Sequence, residues 1–162
     1  RKYAGSSGVI MSYEDAVRIR DSWLNTYSGI KKWQKNNMDI ARDTENDKWA
    51  EVRIPETNMR RFLKDKLNRV TVRCNTPIQG AGAAILKYAL KDLWPKVKEQ
   101  GEEKVKIAAA VHDELILLVK EGIADEWASI LKTTMEEAEA LWLKDVPALA
   151  EVSIGDKWSE VH

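Results

Sequence analysis

Two β-rich runs, 104–111 and 114–120, are separated by only His112 and Asp113. A two-residue connection leaves an antiparallel hairpin as the arrangement in which both runs pair, and it sets their register as well as their direction. Helical spacing surrounds this hairpin. Ser12 followed by Glu14 and Asp15 has the form of a helix start, with a capping hydroxyl and acids in the first turn. Val17, Ile19, Trp23 and Leu24 supply an apolar face as far as Tyr27, where Ser28-Gly29 breaks the pattern. A second helix is predicted over 30–44, with Ile30, Trp33, Asn37 and Ile40 on one stripe.

Further along, 48–54 and 60–63 read as a short hairpin joined across Pro55-Glu56-Thr57-Asn58. The basic run 64–73 is predicted helical, and after Pro77 a long helix is predicted over 79–100, with Gly101 as its stop. An amphipathic helix is predicted over 124–143, carrying Trp127, Ile130, Leu131, Met135, Ala138 and Leu141. A last strand is predicted over 151–154, followed by Trp158. Neither repeats nor a low-complexity tract nor a flexible linker interrupts the chain. Strands and helices in this mixed order indicate an α+β fold, with helices packed on a small antiparallel sheet, rather than a doubly wound sheet.

Composition bounds the possible partners. With 26 basic and 26 acidic residues among 162, the net charge is zero, so any attraction to nucleic acid has to come from a local patch. Arg60, Arg61, Lys64, Lys66, Arg69 and Arg73 form such a run, although a solvated helix face accounts equally well for the individual lysines. Cys74 is the only cysteine, which excludes an intrachain disulfide and fits a reducing compartment such as the cytoplasm. The apolar stretch 107–111 is far too short to span a bilayer, so no membrane partner is expected. No signal peptide is visible and the chain opens on Arg1, which reads as a fragment or a processed product.

Two segments carry chemistry. In Val111-His112-Asp113-Glu114-Leu115, a tight turn between apolar strands holds carboxylates rigidly at a sheet edge. Mg²⁺ demands such rigidity, because it takes oxygen ligands in near-ideal octahedral geometry. Successive strand residues point to opposite faces, so Asp113 is expected on the metal and Glu114 in support. An exposed polar turn is the competing explanation, since His and Asp both tolerate turn geometry. In Asn75-Thr76-Pro77-Ile78-Gln79-Gly80, followed by Ala81-Gly82-Ala83-Ala84, small residues allow close backbone approach. Asn75 and Gln79 each offer a donor and an acceptor, as the degenerate minor groove requires. Capping by Asn75 and Gly/Ala helix packing explain that segment without any ligand.

Taken in order, and about thirty residues apart, the two segments resemble the "N-x-P-x-Q-G" segment and motif C of family A (DNA polymerase I-like) DNA polymerases, with Lys87 in the helix after the first. The resemblance extends through Tyr3-Ala4, Gly8-Val9, Met11-Ser12, Glu14-Asp15-Ala16, Tyr27 and Gly29-Ile30 to Trp33, and through Ile154-Gly155 with Trp158 near the end. It covers essentially the whole chain and is nearer the phage-like branch.

The resemblance implies part of a polymerase right hand that joins a deoxynucleoside triphosphate to a primer 3′-hydroxyl by a two-metal mechanism. It implies fingers-adjacent helices and a basic segment over 1–74, and a palm portion over 75–162. Asp113 would bind Mg²⁺, His112 and Glu114 would sit beside the primer terminus, and Asn75 and Gln79 would contact the terminal base pairs of primer–template DNA. Lys87, Arg60, Arg61 and Arg73 would add DNA contacts. Motif A ("D-[YF]-S-x-x-E") and the fingers helix that holds the triphosphate have no counterpart here, so the resemblance implies that an upstream polymerase half supplies both and that the isolated chain is inactive. A non-catalytic primer–template binding module, or the small subunit of a split polymerase, is the alternative. Ala84 and Thr71 depart from the pattern, standing where the family usually carries an acid and often an arginine.

Overall fold

The computed structural model describes residues 8–39, 41–44, 47–65 and 69–161. Tyr3, Ala4, Ile40 and Lys66 lie outside them. Ser12 does cap the first helix, α1 (Tyr13–Thr26): its hydroxyl accepts from the Asp15 N–H at 3.0 Å and donates to the Asp15 carboxylate at 2.7 Å. α1 ends at Tyr27, whose N–H reaches the Trp23 carbonyl, and α2 (Ser28–Asp39) begins at once. Ser28-Gly29 therefore starts the second helix. That helix also stops earlier than predicted, because 41–44 belong to strand β1 (Ala41–Thr44), paired antiparallel with β2 (Asp47–Arg53) in the register Ala41↔Ala50 to Thr44↔Asp47. A helix there would have had only Ala41 beyond Ile40 to bury, whereas as an edge strand it finds backbone partners along β2.

β2 turns into β3 (Arg60–Lys64), giving a three-stranded sheet in the order β1-β2-β3. The predicted hairpin loop holds: Ile54 N–H donates to the Met59 carbonyl at 3.0 Å, Thr57 Oγ1 to the Ile54 carbonyl at 3.0 Å, and Glu56 takes a positive φ of 56°. Asp65 leaves the strand at a φ of 48°, so the strand covers Lys64, where a helix was predicted.

The long helix α3 spans Val70–Gln100, nine residues earlier than predicted, and runs through both Pro77 and Pro95. Proline inside a helix forfeits one backbone bond and crowds the preceding turn. Burial explains why the helix continues. Arg73, Thr76, Pro77 and Ala84 are buried on one face; Ala89, Leu93 and Val97 are buried on another. At 3.6 residues per turn, Ala84 and Leu93 point to opposite sides. The helix therefore changes its buried face midway, which no single apolar stripe in the sequence announces. Gly101, at φ +93°, ends it, as predicted.

After α3 come β4 (Val105–Val111) and β5 (Glu114–Val119), an antiparallel pair in the register Val111↔Glu114 to Val105↔Val119, with an irregularity between Ile107 and Ala109. A single 3₁₀ turn (Glu121–Ile123) leads to α4 (Ala124–Glu139), shorter than predicted by four residues, and the chain closes with α5 (Trp158–Val161). No strand forms over 151–154: its sequence alternates correctly, but a strand exists only with a neighbour, and none pairs with it among the described residues. Helices packed with small antiparallel sheets make the fold α+β. Among the described residues, no helix is long and apolar enough to cross a membrane.

The chain divides into two units: Arg1–Val52 with Phe62–Cys74, and Arg53–Arg61 with Asn75–His162. In the first, Ala50, Val52 and Leu63 are buried and the Trp49 and Phe62 rings lie 6.2 Å apart. The core of the second is Leu93, Val97, Val105 and Trp127, flanked by Ile107, Leu115, Leu117, Ile130 and Leu131. Trp127 Nε1 lies buried with no hydrogen-bond partner among the described residues. An unmet donor costs about 1–3 kcal/mol, and burial of the indole contributes roughly 4–6 kcal/mol, so apolar burial wins. Gly80 is fixed by packing of the same kind: a Cβ there would overlap Ile54 Cδ1 and lie 2.9 Å from Ile54 Cγ1. Ile54 is itself buried and has no room to retreat. Gly80→Ala is expected to lower stability by about 1–3 kcal/mol, read as a lower urea midpoint at unchanged slope.

Candidate functional site

The β4–β5 register places His112 and Asp113 as the two turn residues and Glu114 as the first residue of β5. His112 takes a φ of 54° while Asp113 does not enter the left-handed region, the φ pattern of a II′ connection. Left-handed backbone costs an L-residue about 1–2 kcal/mol, and histidine is among the side chains that tolerate it better. The strain is carried because both flanking strands are held by the core beneath them. His112 and Asp113 are exposed and Glu114 is half-buried.

Asp113 and Glu114 both line one groove, of about 310 Å³, together with Leu115. Asp113 belongs to the turn and Glu114 to the strand that follows it. The remaining walls were not legible in the sequence. Leu131, Lys132, Met135 and Glu139 come from one face of α4, and 149–152 from the segment that follows it. Spacings of three and four residues along α4 do put those four side chains together, but only the fold shows that this edge of the helix adjoins the hairpin tip.

Carboxylate oxygen is the donor Mg²⁺ takes, so Asp113 and Glu114 suit it by chemistry. No group of three or more His, Cys, Asp or Glu side chains converges as a metal site among the described residues. These residues therefore offer part of a coordination shell.

α3 carries the second set. Asn75, Gln79 and Lys87 are all exposed, and the small residues Gly82 and Ala83 are exposed among them. Asn75 lies within the helix and does not cap its start, since α3 begins at Val70. Asn75 and Gln79 stand one turn apart, and Lys87 lies about 80° round from Gln79, so the three share one exposed side. Arg60 and Arg61 are exposed on β3. Arg73 differs from them. It is 5% exposed and its Nε donates to the Asn37 carbonyl at 2.7 Å, an internal tie between α3 and α2. Its neighbour Cys74 is partly buried, and burial pushes its thiol up against the lowering effect of Arg73. Such a thiol stays protonated and unreactive near neutral pH.

His112→Val is expected to destabilise the chain by about 1–2 kcal/mol, because a β-branched residue tolerates positive φ poorly. His112→Gly is expected to leave the melting temperature within a few degrees of the parent. Thermal unfolding followed by circular dichroism measures both.

Residues 4–160 match DNA polymerase family A. DNA polymerase I of Lactococcus lactis subsp. lactis is 34% identical over 151 residues, covering 91% of this chain and 16% of the relative. DNA polymerase I of Caldicellulosiruptor bescii is 32% identical over 166 residues, covering 98% and 18%. The thermostable DNA polymerase I of Thermus thermophilus is 27% identical over 157 residues, covering 94% and 18%. The chain thus spans less than a fifth of the length of these relatives. With a family match across nearly its whole length, the chain belongs to the family A DNA polymerases.

Proposed function

We propose that this chain supplies the motif C side of the active site of a DNA-directed DNA polymerase, which adds deoxynucleotides to a primer 3′-hydroxyl. The observation that carries this reading is the rigid turn: Asp113 and Glu114 stand at the tip of a two-residue hairpin whose strands are clamped by the Leu93–Val97–Val105–Trp127 core, and both line one groove. Asp113 is assigned as a magnesium ligand, with Glu114 in support and His112 beside the primer terminus. Bound Mg²⁺ would supply electrostatic stabilisation of the transferring phosphate. Asp113 contributes one carboxylate to that shell. A segment carrying motif A and the fingers helix, outside these 162 residues, contributes the rest.

Primer–template DNA is assigned to the exposed side of α3. Asn75 and Gln79 reach base edges, Gly82 and Ala83 let a backbone approach, and Lys87 offers a charge to a phosphate. Arg60 and Arg61 extend the basic surface, whereas Arg73 acts from within by holding α2. In this reading 1–74 adjoin the fingers and 75–162 are palm. A pure DNA-binding module would have no use for acids at the hairpin tip, where they repel phosphate.

The test is magnesium-dependent primer extension by the 162-residue chain alone, and by the chain joined to the remainder of L. lactis DNA polymerase I in place of the segment it matches. Extension is expected only from the joined protein, and activity of the chain alone would mean that a second metal-binding carboxylate lies within it. In the joined protein, Asp113→Ala is expected to abolish incorporation while leaving DNA affinity within about twofold; undiminished extension would remove Asp113 from its role. Gln79→Ala is expected to weaken binding at a paired primer terminus by about 1–3 kcal/mol, measured by fluorescence anisotropy. An equal loss on single-stranded DNA would count against that contact.

A further inference from the structure

The segment between α4 and α5 forms one wall of the groove at Asp113, yet it includes neither helix nor strand. Trp142 anchors its start by donating to the Pro55 carbonyl, and a second side chain holds the part that lines the groove. Glu136, on α4, accepts the Ala150 backbone N–H on Oε1 at 3.2 Å, fourteen residues away in sequence. Lys132 Nζ, one turn earlier on α4, lies 3.9 Å from the same oxygen and itself lines the groove. The bond sits at the centre of the wall, since Leu149, Ala150, Glu151 and Val152 are the residues that face the groove. The apolar side chains cannot hold the segment by themselves: Leu149 is 73% exposed and Val152 39%.

We propose that Glu136 is a positioning residue for the reaction: through the backbone of Ala150 it holds 149–152 as a wall of the groove that Asp113 and Glu114 also line, and so sets the space in which those carboxylates meet their metal. The inference rests on the assignment of Asp113 to Mg²⁺. Without the latch, the wall is free to swing from the groove. Glu151 and its neighbours then no longer complete the groove at the tip acids, and the ion is held less well. Glutamine at 136 keeps a carbonyl acceptor and is expected to keep the latch.

Two measurements decide it. In the 162-residue chain, the Ala150 amide is expected to exchange slowly with solvent. Glu136→Ala should accelerate that exchange at least tenfold, and Glu136→Gln should retain most of the protection. In the joined polymerase, Glu136→Ala should raise the Mg²⁺ concentration for half-maximal extension about tenfold, the scale of lost outer-shell support at a metal site. Glu136→Gln should stay within about twofold of the parent. Ala150→Pro removes the donor from the other end of the bond, leaves α4 untouched, and should reproduce the shift. A purely structural role would lower the melting temperature or the active fraction and leave the Mg²⁺ midpoint in place. Unchanged Ala150 exchange in Glu136→Ala, or an unchanged Mg²⁺ midpoint in both Glu136→Ala and Ala150→Pro, overturns the proposal. If Asp113→Ala left extension intact, the metal assignment itself would fall, while the exchange result would still decide whether the latch exists.

Discussion

A two-stranded hairpin is marginal in water by itself. β4 and β5 stay paired because one of their faces is buried: Val105, Ile107, Leu115 and Leu117 close over Leu93, Val97 and Trp127. Each fully buried aliphatic side chain contributes about 1.5–3 kcal/mol, so a few of them outweigh the strain at His112 as well as the unmet indole donor. From that packing follows the placement of the hairpin tip. Without a fixed tip, Asp113 and Glu114 would be two acids on a mobile loop, with no defined groove to line.

The same core explains why α3 is so long. Its second half is held by the hairpin and α4, while its first half buries Arg73, Thr76, Pro77 and Ala84 on another side. Neither half alone would justify thirty-one helical residues with two prolines inside. Joined, they carry the exposed residues Asn75, Gln79 and Lys87 on a rigid rod seated on the core that also supports the acids. The groove at the hairpin tip and the exposed side of α3 are thereby built on elements that share one core. Trp142 adds a tie at the end of α4, donating from Nε1 to the Pro55 carbonyl at 2.9 Å and meeting the Tyr88 ring edge-on at 5.4 Å.

Where local chemistry is decisive, the sequence by itself determined the outcome. The two-residue link at His112-Asp113 dictated an antiparallel pair, because no other connection is that short. Ser12 with Asp15 announced a helix start through a hydroxyl able to meet orphan N–H groups, and Gly101 announced a stop because it alone bears a φ of +93° without penalty. The matching motifs are local strings of residues and mark the family without any tertiary information. Other features depended on neighbours distant in sequence. Ala41–Thr44 became a strand because β2 offered it a ladder, and 151–154 did not, for want of one. Pro77 sits inside α3 because tertiary burial on both sides outweighs its lost backbone bond. Arg73, which closes a basic run in the sequence, went inside to serve the Asn37 carbonyl. Ala150, in the groove wall, meets the carboxylate of Glu136 fourteen residues away. Propensity and turn geometry act over a few residues and can be read along the chain, whereas burial and pairing are properties of surfaces brought together by folding, and only the tertiary structure decided them.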